Sequence, residues 1–475
     1  MKGRLISIRS MRMRYVIIDL ITSALAFFVF NQARYLLMEL NELGYTLREY
    51  LTTPKMLTEQ IVIPFVMLGI YWLSGYYNHP FGKSRLQEFS QTLGSALINT
   101  LWIYLALLIN DQLPTRYLSY ELLFILFGSL FLLTYIGRFC LTQTSISNLT
   151  KRRWGFNTVI IGDSPEALAM ARRLDSTRTK LGYNIIGYIP IEGEVSSTDN
   201  HSTLSAGRLK TLCSTGKVDQ LIIVAADGAP DKKILSLLHT YFPLGVPIRI
   251  RPSAMDFLTS NIRTGDIYAE PFIDLSSPAM SDSQINIKRV IDISLSTLAL
   301  IITSPLLLAI AIGVKLTSKG PVLYRQERIG YRQKPFNILK FRSMKIDAEA
   351  AGPQLSSDSD PRITPLGRIL RKYRLDELPQ FWNVIKGEMS LVGPRPERAY
   401  YIEKIVKYAP HYSLLHQVKP GITSWGMVKY GYAREVSEMV ERSNYDLIYL
   451  SNMSVAVDFK ILLHTISTVV HGRGI

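Results

Sequence analysis

The sequence predicts a multidomain membrane protein: a four-helix transmembrane bundle, a parallel α/β domain, and a polar, basic C-terminal domain introduced by an apolar segment that dips into the bilayer. Three observations predict it. Four long apolar runs fill the first third, short apolar runs alternate with helical stretches from about residue 157, and an apolar run interrupted at Ser304-Pro305 introduces a basic C-terminal segment. At 475 residues the chain exceeds one ordinary domain and has room for roughly two to four. Lys and Arg number 54 against 38 Asp and Glu, a net charge of +16, with 19% of residues charged and 47% apolar. That ratio excludes a disordered chain. A basic balance with positive mean hydropathy points to nucleic acid or to anionic membrane headgroups. The two cysteines, Cys140 and Cys213, lie far apart and the seven histidines never fall at metal-ligand spacing, so neither a disulfide scaffold nor a zinc site is expected.

The runs at 15–31, 61–77, 93–110 and 118–139 are each about the length that crosses a hydrocarbon core. No small-residue cleavage site follows Phe30, so the first run is expected to remain as a span rather than leave as a signal peptide. Lys2, Arg4, Arg9, Arg12 and Arg14 precede it without an acid, whereas the next loop balances Arg34, Arg48 and Lys55 against four glutamates. The charge bias places the N-terminus in the cytoplasm. Lys83 and Arg85, then Arg138 and 151–153, fall on the same side, so the chain after about residue 150 begins cytoplasmic.

From Asn157 the apolar runs 158–162, 184–189, 220–225 and 246–250 set a βαβ rhythm and predict a Rossmann-like α/β domain over 151–260. Its first strand ends in Gly162-Asp163-Ser164-Pro165-Glu166, which lacks two of the three glycines of a dinucleotide loop. The strand-to-helix turn survives, since Pro165 suits a first helical turn. The domain therefore reads as structural or regulatory, with NAD binding as the alternative. Residues 261–284 form a linker, although 262–272 has the composition for one more strand. The next apolar run, 290–316, contains Ser304-Pro305, where proline removes a backbone hydrogen bond and serine can satisfy a freed carbonyl group. Lys288 and Arg289 before it and Lys315 and Lys319 after it give no direction of crossing, so a hairpin that enters and leaves on the cytoplasmic side fits better than a fifth straight span.

Within the C-terminal domain, 285–475, Arg371-Lys372-Tyr373-Arg374-Leu375-Asp376-Glu377-Leu378-Pro379-Gln380 opens an apolar-periodic run through Phe381, Val384 and Ile385. Proline tolerates a first turn but not an interior, so a helix is expected to start around Asp376, with both carboxylates at its N-terminus. There Asp376 can stay ionised as a nucleophile while Glu377 holds a divalent ion. The bland reading is an N-cap Asp followed by a first-turn Glu. Surrounding cations decide between them: Arg371 and Arg374 upstream, Arg395 and Arg398 in Gly393-Pro394-Arg395-Pro396-Glu397-Arg398, and Lys340 and Arg342 in Lys340-Phe341-Arg342-Ser343-Met344. Planar guanidinium donors suit phosphate oxygens, and acids among them suit phosphoryl chemistry with a metal. Nucleic acid is not expected as a partner, because these arginines sit among apolar and proline-rich turns rather than stacking aromatics.

These residues carry a resemblance. The stretch from Lys288 to the C-terminus resembles the bacterial sugar transferase domain of the monotopic phosphoglycosyl transferases, and the whole chain resembles their large form, the undecaprenyl-phosphate hexose-1-phosphate transferases. Four motifs stand in the family's order, the three quoted and Lys419-Pro420-Gly421-Ile422-Thr423. The resemblance implies an α-rich monotopic transferase domain with a re-entrant membrane helix broken at Ser304-Pro305. It implies transfer of a sugar 1-phosphate from a UDP-sugar to undecaprenyl phosphate at the cytoplasmic face of the inner membrane, which starts capsule, exopolysaccharide or O-antigen units. By the same resemblance Asp376 is the covalent nucleophile, Glu377 the Mg²⁺ ligand, and Arg371 and Arg395 bind phosphate. Asp446, Tyr449 and Asp458 resemble the family's C-terminal pattern without an assigned role. Ser424-Trp425-Gly426 departs from the family's glycine after Ile422-Thr423.

Two other classes compete. A membrane-bound, NAD-dependent nucleotide-sugar dehydratase needs an intact glycine loop and Tyr-x-x-x-Lys, for which only Tyr400 with Lys404 is a candidate, far beyond the α/β domain. A membrane scaffold with an inactive transferase domain is the non-enzymatic alternative. The bundle and the α/β domain offer surfaces for a homodimer in a lipid bilayer, and the sugar is not legible.

Overall fold

The computed structural model describes residues 8–470 apart from 41–43, 82, 84, 109–115, 152, 163, 177–181, 192–202, 226–230, 252–271, 276–278, 347, 349–351, 353–359 and 432. Lys2, Arg4, Asp163 and, in the expected linker, 261–271 and 276–278 lie outside the described residues, as does the extra strand considered over 262–272 except for Phe272. The chain divides into two compact units. One comprises Met1–Asn157, Ala169–Ile185 and Asp256–Pro271, the other Thr158–Leu168, Ile186–Met255 and Phe272–Ile475.

In the first unit the predicted runs fall on helices α1 (Ile8–Leu37), α3 (Pro54–Leu73), α4 (Arg85–Ile103, prolonged by a π turn Tyr104–Leu108) and α5 (Arg116–Thr150), with a short α2 (Leu47–Thr52). Thr46 and Glu49 close a capping box on α2, and Thr53 with Pro54 at the first position starts α3. Phe27, Phe30, Met67, Tyr71, Leu122 and Leu126 build the shared core. Ile17, Ile21 and Leu25, four apart on α1, stay exposed as a lipid-facing stripe. Among the described residues four helices are long and apolar enough to cross a membrane, Ile8–Leu37, Pro54–Leu73, Tyr117–Thr150 and Asp282–Thr317. The protein is a membrane protein. The third expected span, 93–110, is not among these four: the α-helix described there, Arg85–Ile103, covers only part of that run and opens on the polar stretch from Arg85 to Thr92, and Glu88, Thr92, Ser95, Asn99 and Thr100 are buried.

That polar stripe meets a buried ion pair. Arg138 Nε and NH2 donate to the two Asp19 carboxylate oxygens at 2.9 and 2.7 Å, Tyr77 donates to Asp19 at 2.7 Å, and Arg138 NH1 reaches Thr92 at 3.0 Å. Charges in a bundle core persist only when paired in this way.

The α/β segment forms a five-stranded sheet in the order β2-β1-β3-β4-β5, from β1 (Phe156–Ile161), β2 (Tyr183–Ile189), β3 (Gln220–Ile223), β4 (Ile248–Ile250) and β5 (Ile273–Asp274). β1, β3 and β4 are parallel and β5 joins antiparallel. Helices α6 (Pro165–Ser176), α7 (Ala206–Ser214) and α8 (Asp231–Tyr241) alternate with the strands. β3 is buried at every position: Leu221, Ile222 and Ile223 are apolar, and the one polar residue, Gln220, donates to Thr158 Oγ1 at 2.9 Å. Gly162 lies at φ +137°, and a Cβ there would strike the Val224 carbonyl oxygen. Its glycine is therefore accounted for by close packing at the strand ends.

The rest of the second unit begins with α9 (Asp282–Thr317), capped by Ser281 and continuous through Pro305. A hairpin of β6 (Leu323–Ile329) and β7 (Pro335–Phe341) follows, then α10 (Pro365–Lys372), α11 (Gln380–Lys386), β8 (Ser390–Val392), α12 (Ala399–Tyr408), β9 (Gly421–Thr423), α13 (Trp425–Lys429), α14 (Val436–Ser451) and α15 (Val455–Val470). Both ends of α9 pack on this body. Near its start, Arg289 donates to the Val384 and Ile385 carbonyls at 2.6 and 2.8 Å, completing the C-terminus of α11, and Asp292 accepts from Ser390 Oγ and Leu391 N at 2.7 and 3.1 Å. Near its end, Ile310 and Val314 cluster with Phe341 and Leu370. Between them Leu298, Ile301, Ile302, Leu306 and Leu308 are exposed.

Candidate active site

Four of these elements bring the acidic pair and its cations together. Thr364 caps α10, with Pro365 at its first position, and Thr364 N also bonds the Ser343 carbonyl at 3.0 Å. Gly367 lets the helix lie against that carbonyl, where a Cβ would collide. One turn on, Arg371 Nε reaches Ser343 Oγ at 3.0 Å, so α10 delivers its guanidinium to the end of β7.

The chain then reverses at Arg374, whose left-handed backbone (φ 54°, ψ 24°) costs about 1–2 kcal/mol for a non-glycine residue. A 3₁₀ turn, Leu375–Glu377, carries both carboxylates, and α11 proper begins at Gln380. The helix thus starts four residues later than the sequence predicts, because the positive-φ residue first forces a tight turn. Leu378 and Pro379 keep right-handed helical angles between the two, so Asp376 and Gln380 remain one turn apart.

Asp376 and Glu377 are both 7% exposed. Lys340, on β7, donates to Glu377 Oε1 at 2.7 Å, and Arg395 NH2 and Arg374 NH1 stand 3.7 and 3.8 Å from the Glu377 oxygens. Burial opposes ionisation of Glu377, but Lys340, Arg395 and Arg374 outweigh it and hold this carboxylate well below its ordinary range. Burial pushes Asp376 up to about 6, against the pull of Lys340 and Arg371. One environment therefore separates two adjacent acids into a fixed anion and a group that titrates near neutrality. Burial lowers the Lys340 pKa, with Glu377 opposing.

Arg395 is aimed from below by the two glycine-containing motifs. β8 and β9 pair in parallel, Ser390 with Gly421 and Val392 with Thr423. Gly393 N bonds Thr423 O at 3.1 Å and Gly421 N bonds Pro394 O at 2.9 Å. A Cβ on either glycine would strike the other strand's backbone. Asp446, on α14, accepts from Gly426 N at 2.8 Å and Arg395 N at 3.4 Å, and burial pushes its pKa up to about 6. The departure at Ser424-Trp425-Gly426 is thus a short helix, capped by Ser424 and seated on Asp446. Glu397 bridges Arg328 at 3.1 Å and Arg442 at 2.6 Å, fixing the other side of the same loop.

The sequence-chosen cations part ways here. Lys340, Arg371 and Arg395 converge on the acidic pair. Arg398 lies at the start of α12 and repels Arg328. Arg342 is engaged elsewhere: its NH2 donates to Ser318 O and Oγ, both at 2.8 Å, and its NH1 to the Pro321 carbonyl. Ser304 donates to Ile301 O at 2.8 Å just before Pro305. Tyr449 donates to Asp458 at 2.6 Å, and Asp458 also pairs with Lys288. Tyr400 and Lys404 meet at 2.7 Å on the exposed side of α12. Sequence reading missed Ser343 and Glu397 as supports, although both stand within motifs it had singled out, and it named Asp446 without a role. Among the described residues no three His, Cys, Asp or Glu gather as a metal-binding group. The adjacent Asp376 and Glu377 carboxylates instead suit a hard cation that keeps waters and substrate phosphates as further ligands.

Residues 283–472 match the family model described as bacterial sugar transferase. The UDP-glucose:undecaprenyl-phosphate glucose-1-phosphate transferase of Escherichia coli (strain K12) is 30% identical over 414 residues, 85% of this chain and 86% of that protein. The chain belongs to the bacterial sugar transferase family. The Klebsiella pneumoniae relative of the same description is 31% identical over 418 residues, 86% of this chain and 88% of that one. The UDP-N-acetylgalactosamine-undecaprenyl-phosphate N-acetylgalactosaminephosphotransferase of Aeromonas hydrophila is 43% identical over 188 residues, 40% of this chain and 44% of that enzyme. The part of this sugar transferase that holds the acidic pair, α9 to α15, coincides with the matched family region.

Proposed function

We propose that the protein transfers a sugar 1-phosphate from a UDP-sugar to undecaprenyl phosphate, releasing UMP, at the cytoplasmic face of the bacterial inner membrane. The observation that carries this reading is a buried Asp376 beside a buried Glu377 paired with Lys340, the two ringed by Lys340, Arg371, Arg374 and Arg395. Near-full-length relatives whose names state this reaction support it. In the first step Asp376 attacks the sugar-proximal phosphorus, the bond to the UMP oxygen breaks, and an aspartyl phosphosugar remains. A polyprenyl phosphate oxygen then attacks that phosphorus, the aspartyl bond breaks, and the carboxylate is regenerated with a lipid diphosphate sugar as product. Arg371, Arg395 and Lys340 hold phosphoryl oxygens, and Lys340 keeps Glu377 oriented. Mg²⁺ would be held by Glu377 with substrate phosphate oxygens, and the chemistry it supplies is offsetting of diphosphate charge. Arg342 is read as a brace for the segment leaving α9 rather than as a phosphate ligand.

The α9 helix is read as re-entrant. Both of its ends pack on the same catalytic body while its middle is exposed and apolar, and Ser304-Pro305 lies in that middle. A membrane-dipping helix of this kind places the dyad at the interface, where a lipid phosphate can reach it. The α/β domain is read as Rossmann-like in strand order and as structural or regulatory.

The test is UMP release by purified protein given Mg²⁺, undecaprenyl phosphate, and UDP-glucose, UDP-galactose or UDP-N-acetylgalactosamine, beside Asp376→Asn. Release with one or two sugars, abolished in the variant and by EDTA, supports the reading and names the sugar. Silence from folded protein across the panel favours the inactive scaffold.

A further inference from the structure

One buried polar group beside the dyad has no role in the chemistry above. Gln380 is 2% exposed, and its side-chain amide nitrogen has no hydrogen-bond partner among the described residues. Its neighbours on the same helical face are fully engaged. Three residues before it, Glu377 accepts from Lys340. Three residues after it, Asn383 accepts from Leu339 N at 3.0 Å and donates to Asn337 O and Glu388 at 2.8 and 2.6 Å. Both of these neighbours are tied to the β7 strand or its surroundings, and Gln380 stands between them.

Direction follows from helix geometry. Side chains on a helix lean toward its N-terminus and cover the preceding turn. Helical angles continue from Leu375 through Pro379 into α11, so the Gln380 carboxamide extends over the turn that carries Asp376 and Glu377. A buried donor left unpaired is costly and is retained where something else fills it. The acceptor that the nearby cations also select is a phosphoryl oxygen.

We infer that the Gln380 carboxamide donates a hydrogen bond to a phosphoryl oxygen of the nucleotide diphosphate as its phosphorus comes within reach of Asp376, making Gln380 a substrate-binding residue. This rests on the phosphosugar transfer reading of the site. A neutral, directional donor fixes the orientation of the phosphorus without adding charge to a cluster already rich in cations.

The experiment compares wild type, Gln380→Met and Asp376→Asn in UMP release and in thermal melting with and without UDP. Methionine keeps length and volume and removes the donor. UMP release by Gln380→Met is expected to fall by about 10-fold or more, in the range seen when one oxyanion donor is lost. Its melting temperature is expected to equal or exceed the wild-type value, since no folded-state partner is lost. Release within about two-fold of wild type overturns the inference. So does a fall in melting temperature or failure to fold, which would mean that the amide has a structural partner. If wild type releases no UMP from any donor, the transfer reading itself fails, and Gln380 is then judged by UDP. The inference expects UDP to stabilise wild type and to bind Gln380→Met about 10-fold more weakly. Equal stabilisation of both proteins, or of neither, overturns it.

Discussion

Replacing Asp376 with Asn should make the protein more stable while abolishing turnover. Burial holds the Asp376 pKa at about 6 against an ordinary 3.8, net of the attraction from Lys340 and Arg371. At pH 7.5 the folded protein must ionise this carboxyl in a site that resists it, and the difference corresponds to about 3 kcal/mol. A raised acid pKa leaves stability intact below 3.8 and erodes it as the pH climbs from 3.8 through about 6. The neutral amide escapes that penalty. Its advantage should therefore be about 3 kcal/mol at pH 7.5 and shrink to about 1 kcal/mol at pH 4.5. In melting temperature this is a rise on the order of 5–10 °C at the higher pH. Differential scanning fluorimetry of both proteins in the same detergent at the two pH values reads it. A variant less stable than wild type at pH 7.5, or an equal gap at both pH values, would refute the claim that the site holds its nucleophile at the expense of folding.

Three further outcomes are expected. The acid limb of kcat/KM for UMP release should bend near pH 6, with activity lost as the pH falls through the Asp376 value. Gly393→Ala should lose activity and melt several degrees lower, because its Cβ would meet the Lys419 carbonyl beside the β8–β9 pair, a clash worth about 1–3 kcal/mol or more. Asp19→Ala should strand the buried Arg138 charge and cost about 3–5 kcal/mol, read as earlier thermal aggregation, while the double change Asp19→Leu with Arg138→Leu should recover most of the loss.

How much of this was legible in the sequence depended on range. β1 to β4 fell on the short apolar runs because a strand buried on both faces is continuously apolar in sequence, as in Leu221, Ile222 and Ile223 of β3. The Asp376-Glu377 pair was legible because its acids and proline are contiguous. Its start was misplaced by a feature that composition does not reveal, the left-handed Arg374. Longer-range supports were opaque. Nothing in Lys340-Phe341-Arg342 says that Lys340 turns to Glu377 while Arg342 turns to Ser318: strand alternation would put the two on one face, but Arg342 lies beyond the end of β7 at Phe341. Likewise the contact of Gly393 with Gly421, and of Asp446 with Arg395, joins segments that only the fold brings together. The α4 helix showed the reverse effect: the apolar run read there concealed a polar stripe whose partners lie on α5 and the segment after α3.

The most direct test of the account is the intact mass of the protein after incubation with the accepted UDP-sugar and Mg²⁺ but without undecaprenyl phosphate. The expected result is a gain of one sugar 1-phosphate on wild type, a matching burst of UMP, no gain on Asp376→Asn, and loss of the adduct once undecaprenyl phosphate is added. UMP formed only in the presence of undecaprenyl phosphate, with no adduct under any condition, would contradict Asp376 as a covalent nucleophile.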